Sequence, residues 1–399
     1  MFIEIVLALL LGIFCGIITG ITPGIHINLV AVMLVSISPF LLQYFPVIAL
    51  GVFIISLSVT HTFLDIIPSI FLGAPSSETA LGVLPGHRFL MKGQGMLAVR
   101  LSVIGAFFAT IVSIAAFPLL LPFVKFFYPY VESVMGYLLF GVVIFMISRD
   151  RKRTWAIFVF LMSGFFGLLV FSLPIKDPLF PMLSGMFGIA TLIVSYFGEN
   201  NLPVQKDDKE IKLNKKKCAQ AVCGGSIGGF FTAIMPGLGG SSAAVISLQL
   251  FRKLGDDGFM ILMGAIGTVN FVLSLVALSA LDKARNGGII AIQQLMENIT
   301  MNHIIVFLIA SLIACCIAVF LTLNIAKVFS KLISVVNYKK LIISVIIFVC
   351  LLVIILTGPI GFLILIISTA IGLIPAIVKV TRTHSMGCLL LPVLIYFLL

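Results

Sequence analysis

Long uncharged apolar runs leave this chain few folds to adopt. Residues 154–173 and 303–326 each pass without one Asp, Glu, Lys or Arg. A run of about 20 such residues, wound as a helix, matches the roughly 30 Å hydrocarbon core of a bilayer. Inside lipid every backbone donor and acceptor must be satisfied by protein, which leaves helices or closed barrels. Barrel strands alternate apolar and polar residues, and these runs do not alternate. The expectation is an all-α polytopic membrane protein with the lipid bilayer as its surroundings.

Composition agrees. Of 399 residues, 61% are hydrophobic and 10% charged, against about 25% charged in soluble domains. The net charge of +11 comes from basic residues in short loops, as cytoplasmic loops require, so no nucleic-acid partner is implied. Seven cysteines lie scattered without a CxxC pair, which indicates neither a zinc site nor a disulfide framework. The N-terminus carries Glu4 and no basic stretch, so it reads as a retained first span.

Apolar segments run over 3–22, 25–44, 46–61, 64–84, 99–125, 134–148, 154–173 and 179–197. After a polar break they resume over 218–235, 238–251, 258–281, 287–299, 303–326, 341–356, 359–379 and 385–399. The break at 199–217, ending Lys215-Lys-Lys217, reads as a solvated cytoplasmic linker between a first transmembrane repeat (1–198) and a second (218–399).

The repeat rests on a short stretch that occurs twice. Gly12, Gly16, Thr19, Pro23 and Gly24 coincide with Gly225, Gly229, Thr232, Pro236 and Gly237 at one offset of 213 residues, Gly24 to Gly237. In each copy Pro-Gly interrupts an apolar run. Pro lacks the amide donor and Gly loosens the backbone, so a helix breaks there. Broken backbone at membrane depth survives only inside protein or beside a cavity. Paired breaks in two halves point to a transporter's binding site. Loop charge puts Arg88, Lys92, Arg100, Arg149–Arg153 and the 206–217 stretch inside, with the N-terminus outside. The two broken hairpins then enter from opposite sides, as inverted-topology repeats with re-entrant helices.

Each break opens a new helix, whose free amides and partial positive charge suit an anion. Thr19, Pro23, Gly24, His26 and Asn28 in the first half are substrate-binding candidates. Thr232, Pro236, Gly237, Gly239, Gly240, Ser241 and Ser242 are their counterparts. The bland alternative is that small residues simply let helices pack closely. His61 and Asp65, four apart, share one helix face. Ionisable groups in an apolar region are costly and are functional candidates for that reason, so Asp65 and Glu78 are read as ion-coupling residues with Asn270. Ser76 and Ser77 precede Glu78 at what reads as a helix start. Arg285, in a loop expected outside, is a further anion-attracting candidate.

These residues resemble the tripartite tricarboxylate transporter permeases of the TctA type. The paired Pro-Gly hairpins, Leu72-Gly73-Ala-Pro75-Ser76, the run Gly86-His-Arg-Phe-Leu-Met-Lys92-Gly93-Gln94, and Pro236-Gly237-Leu-Gly239-Gly240-Ser-Ser-Ala243 carry the likeness. Ser76, Pro85 and the stretch Asp282-Lys-Ala-Arg285 depart from that pattern, and the chain is shorter than typical members. The resemblance implies secondary, ion-driven uptake of di- or tricarboxylates at the cell membrane. It also implies a solute-binding protein and a small membrane subunit as partners. A homodimer is a further expectation. No cofactor is expected beyond a coupling proton or sodium ion, and no metal site. The alternatives are a flippase for polyprenyl phosphate or another anionic lipid, and a membrane-embedded enzyme using His26, His61, Asp65 and Glu78. The enzyme reading lacks any HExxH-type motif. No Walker-type phosphate loop is present either.

Overall fold

The computed structural model describes the chain except residues 1, 23–26, 74–78, 176–177, 198–202, 207–213, 235–239, 252–253, 284–285, 297, 336–337 and 399. The described residues are helical, without strands. The first half comprises α1 (Phe2–Ile21), α2 (Ile27–Leu41), α3 (Val47–Leu64) with its continuation α4 (Ile66–Phe71), α5 (Val83–Met91), α6 (Gly95–Ser148), α7 (Arg153–Ser172), α8 (Leu179–Leu183) and α9 (Ala190–Tyr196). The second comprises α10 (Lys215–Ile234), α11 (Gly240–Leu250), α12 (Gly255–Leu281), α13 (Gly287–Leu295), α14 (Met301–Val335), α15 (Tyr338–Val378) and α16 (Gly387–Leu398). Among the described residues seven helices are long and apolar enough to cross a membrane: 2–21, 47–71, 95–130, 153–172, 255–281, 301–333 and 342–378. Their outer faces keep large apolar side chains exposed, such as Phe14 and Ile355, as lipid contact allows.

The repeated stretch shapes two alike helix pairs. α1 ends at Ile21 and α2 begins at Ile27, while α10 ends at Ile234 and α11 begins at Gly240. Both boundaries keep the 213-residue offset. Glycines on α1 and α10 take the backbone of a second helix. A Cβ at Gly12 would lie 2.5 Å from Phe53 O, and one at Gly16 2.7 Å from Leu57 O. In the other half, Gly225 would meet Leu262 O at 2.8 Å and Gly229 would meet Ile266 O at 3.0 Å. Contacts advance together, so α1 runs parallel to α3 and α10 to α12. Close packing by small residues therefore accounts for these four glycines.

Antiparallel to that, α3 and α12 oppose each other. Met263 and Ile66 both border Gly82, and Phe271 borders Gly288 together with Ile54 and Ser58. As α3 advances, α12 retreats. The halves also exchange partners. α12 packs along α6, with the Thr268 hydroxyl donating to Ala106 O at 3.2 Å. Reciprocally, α3 packs along α14, where Phe307 covers Gly51 and Phe329 lies 6.3 Å from Phe71. α10 and α11 form a helical hairpin, closed by the Ser247 hydroxyl on Gly224 O at 3.0 Å.

Two long elements fold back. A straight helix of 54 residues would be about 80 Å long. Yet α6 begins beside Phe71 and ends beside the 381–384 segment that α16 follows, and Gly136 reaches Leu398 at the far end of α16. The apolar arms 95–130 and 133–148 are thus two limbs of a hairpin, beyond Pro118, Pro122 and Pro129, as separate segments 99–125 and 134–148 foretold. α15 is likewise interrupted at Gly358, φ 70°. That left-handed conformation suits glycine, and Pro359 follows it.

Only part of the 199–217 stretch lies among the described residues. Lys215–Lys217 already belong to α10. Residues 203–206 touch the bundle through their backbone and Gln205 while Val204 and Lys206 stay exposed: Gln205 bonds Leu90 O and Gly95 N, and Lys206 N donates to Gly93 O at 2.8 Å. Its polar side chain caps the backbone where α5 turns into α6. Arg88, Lys92, Arg149–Arg153, Lys215–Lys217, Lys327 and Lys331 gather at this one end of the bundle, called here the basic end. Lys283 stands at the opposite end, 5.0 Å over the Tyr128 ring.

Candidate functional site

α3 and α4 carry a buried polar stripe: Ser56, Ser58, Thr60, His61, Asp65 and Ser69. Two of these hydroxyls return to the backbone, Ser56 to Val52 O and Ser58 to Ile54 O. His61 instead reaches another helix. Its Nδ1 lies 3.0 Å from Thr19 Oγ1, both groups buried. Thr19 sits in the last turn of α1, directly before the break. Asp65 stands at the joint between α3 and α4, where Pro68 withholds the amide that Leu64 O would accept.

The second half repeats this placement. Thr232 is buried in the last turn of α10 and its hydroxyl donates to Gly229 O at 2.8 Å. Stepping from Phe53 to Leu262 and from Leu57 to Ile266, the matched partner of His61 is Asn270. Asn270 is half-buried on an otherwise covered helix, and beside it Gly267 has open space where a Cβ would go. The antiparallel register of α3 and α12 puts His61 and Asn270 within about one helical turn of the same level. Thr19 beside His61, and Thr232 with Asn270, therefore occupy equivalent positions by register, the threonines in the last turns of α1 and α10.

Pro23, Gly24, His26, Ser76, Ser77, Glu78, Pro236, Gly237, Gly239 and Arg285 lie outside the described residues, as do the side chains of Asn28, Ser241 and Ser242. Gly240 is buried as the first residue of α11. Of the described members of the proposed set, Thr19, Thr232 and Gly240 flank the breaks, Asn270 lies midway along α12, and Asp65 stands at the joint between α3 and α4.

Residues 6–387 match the tripartite tricarboxylate transporter TctA family. The chain belongs to this family. Its members are membrane permeases that work with a solute-binding protein and a small membrane subunit, which points away from an enzyme and makes this TctA-family chain a multi-pass membrane protein. It is 33% identical over 411 residues to the uncharacterized protein MJ1079 of Methanocaldococcus jannaschii, covering 98% of both chains. No solved structure matches it.

One polar centre of this TctA-family chain was not foreseen. At the basic end, Asp150 accepts from Lys152 N (3.0 Å), Thr381 N (3.2 Å), Thr381 Oγ1 (3.1 Å) and His384 Nε2 (3.0 Å). An ionised carboxylate only accepts, so the His384 proton sits on Nε2. Burial alone would raise the Asp150 pKa. These hydrogen bonds outweigh it and lower the pKa to about 2. Arg382, between the two tethered residues, donates to Thr191 Oγ1. Nearby, Arg88 pairs with Asp256 at 2.7 Å. Burial and the Arg382 charge push His87 down to about 4, so its imidazole is neutral at pH 7. The available sequence signal was the polar run Thr381-Arg-Thr-His384 between two apolar segments.

Proposed function

We propose that this chain is the large membrane subunit of a secondary transporter for an organic anion, a di- or tricarboxylate. Residues 1–198 and 218–399 act as inverted-topology repeats, and alternating access exposes one shared site to each side in turn. The observation that carries the reading is the pair of equivalent polar positions, Thr19–His61 and Thr232–Asn270, on central helices that run in opposite directions within a TctA-family chain. In this reading the amides at Gly24, Gly237 and Gly240 hold carboxylates, aided by Asn28, Ser76, Ser77, Ser241 and Ser242. Asp65, Glu78 and Asn270 serve the coupling proton or sodium ion. The basic end faces the cytoplasm of the cell membrane, and the family's solute-binding protein approaches from the other face.

Uptake of citrate and smaller dicarboxylates into proteoliposomes, with and without imposed sodium or proton gradients, tests this. Transport that persists after both gradients collapse removes the coupling. Ala-Ala in place of Pro23-Gly24 or of Pro236-Gly237 should abolish uptake while leaving insertion intact; full activity in both variants removes the site.

A second reading, transfer of an anionic lipid, draws on one observation. An apolar lateral groove of about 790 Å³ runs between α6 of the first half and α10 of the second, with Lys215 at its basic end. Lipid translocation in vesicles without carboxylate uptake would favour it.

A further inference from the structure

A cavity of about 310 Å³ opens at the basic end, lined by apolar side chains and by Arg88, Thr191, Asp256, Thr381, Arg382 and Thr383. Its volume falls at the lower end of the roughly 300–1,000 Å³ of small-molecule sites. The polar groups come from both halves, α5 and α9 from one, α12 and the 381–383 segment from the other. Leu248, near the close of the α10–α11 hairpin, also borders it.

Arg382 is the unusual group. A guanidinium offers five donors and stays charged; Arg382 is half-buried, and a charge partly withdrawn from water gains from a partner. Among the described residues, however, Arg382 makes no ion pair, and Thr191 Oγ1 is its hydrogen-bond acceptor. Two described carboxylates at this end are committed elsewhere. Asp256 holds Arg88, and Asp150 takes its four donors from Lys152, Thr381 and His384. Asp150 clasps the residues on both sides of Arg382, so the turn that carries the guanidinium is fixed. His87 is neutral and brings no second charge. A carboxylate, planar and bidentate, matches the guanidinium fork.

We propose that this cavity is an anion-binding vestibule in which Arg382 takes a carboxylate at the basic end, with Thr383 beside it and the Arg88–Asp256 pair on its wall. That the anion is the transported substrate rests on the transport reading above; anion binding itself does not.

The test uses the full chain in detergent with exposed Cys223 and Cys316 replaced by Ser. Thr383→Cys is added and its modification by a charged methanethiosulfonate is timed, with citrate, tricarballylate and acetate as probes. Citrate should slow labelling several-fold when Arg382 is present and not at all in the Arg382→Gln variant, with Arg382→Lys in between. Equal protection in Arg382→Gln, or none with any probe, overturns the proposal. Should the cysteine variant not fold, citrate should raise the unfolding midpoint of the native chain more than that of Arg382→Gln; equal shifts overturn it. Protection by citrate without citrate uptake in proteoliposomes would leave the vestibule standing and sink the transport reading. Uptake without protection would do the reverse.

Discussion

Replacing Asp150 with Asn keeps the shape of the side chain and one carbonyl acceptor but removes the charge. In the folded chain the carboxyl titrates at about 2 rather than its ordinary 3.8, because hydrogen bonds from Lys152, Thr381 and His384 outweigh burial. The folded value lies below the unfolded one, so the carboxylate stabilises the fold above the unfolded pKa and that stability is lost as pH falls through the folded pKa. The gap is worth roughly 2 kcal/mol at pH 7, and about half of that survives at pH 3, where the unfolded carboxyl is already protonated and the folded one is not. Its side chain is 8% exposed, so solvent screening removes little of this. Trp155, the sole tryptophan, stands just past the loop in α7 and reports unfolding by its fluorescence during a titration with SDS in mixed micelles. Asp150→Asn should cost roughly 2 kcal/mol at pH 7 and about half that at pH 3. An equal deficit at both pH values would mean that the lost hydrogen-bond shape matters and the charge does not, which would refute the reasoning.

Other outcomes can be checked alongside. His87, lowered from 6.5 to about 4 by burial and Arg382, contributes stability above pH 6.5 that is lost as pH falls through 4; native chain should lose about 3 kcal/mol across that window and His87→Gln should not. Gly16→Ala, whose methyl would lie 2.7 Å from both Leu57 O and Thr60 Cβ, should cost about 1–3 kcal/mol in the same titration. Gly267→Ala, with nothing within 4 Å, should leave stability unchanged to within about 0.5 kcal/mol, while Gly267→Leu should fold and lose uptake. Thr19→Val removes the hydroxyl that His61 Nδ1 meets and should cost about 0.5–1.5 kcal/mol, the net worth of one hydrogen bond; an unchanged midpoint would show that this bond carries no stability.

Local sequence carried much of this architecture because its signals are local. The described helix ends, Ile21 and Ile27 in one half and Ile234 and Gly240 in the other, bracket the Pro23-Gly24 and Pro236-Gly237 stretches that the sequence marked as breaks. The flanking helices resume at the same spacing in both copies. The segments 341–356 and 359–379 were legible as two because Gly358-Pro359 admits no straight helix. Charge was legible for a different reason: lipid penalises it everywhere, so loops that hold Arg and Lys collect at one end whatever the packing. Pairings between distant segments were another matter. Nothing in Gly12 or Gly225 names Phe53 or Leu262 as the backbone it will meet, and the spacing shifts from 213 on α1 and α10 to 209 on α3 and α12, so the match of His61 with Asn270 needs the packed helices to be seen. Arg382 was the least legible. Within its own run it is one more basic residue beside a membrane end, expected to face water. Its isolation depends on Asp150 being taken by Thr381 and His384, 231 and 234 positions away, and on Asp256 being taken by Arg88, 168 away. A charge becomes informative only when its possible partners are already spent, and that is a property of the folded chain.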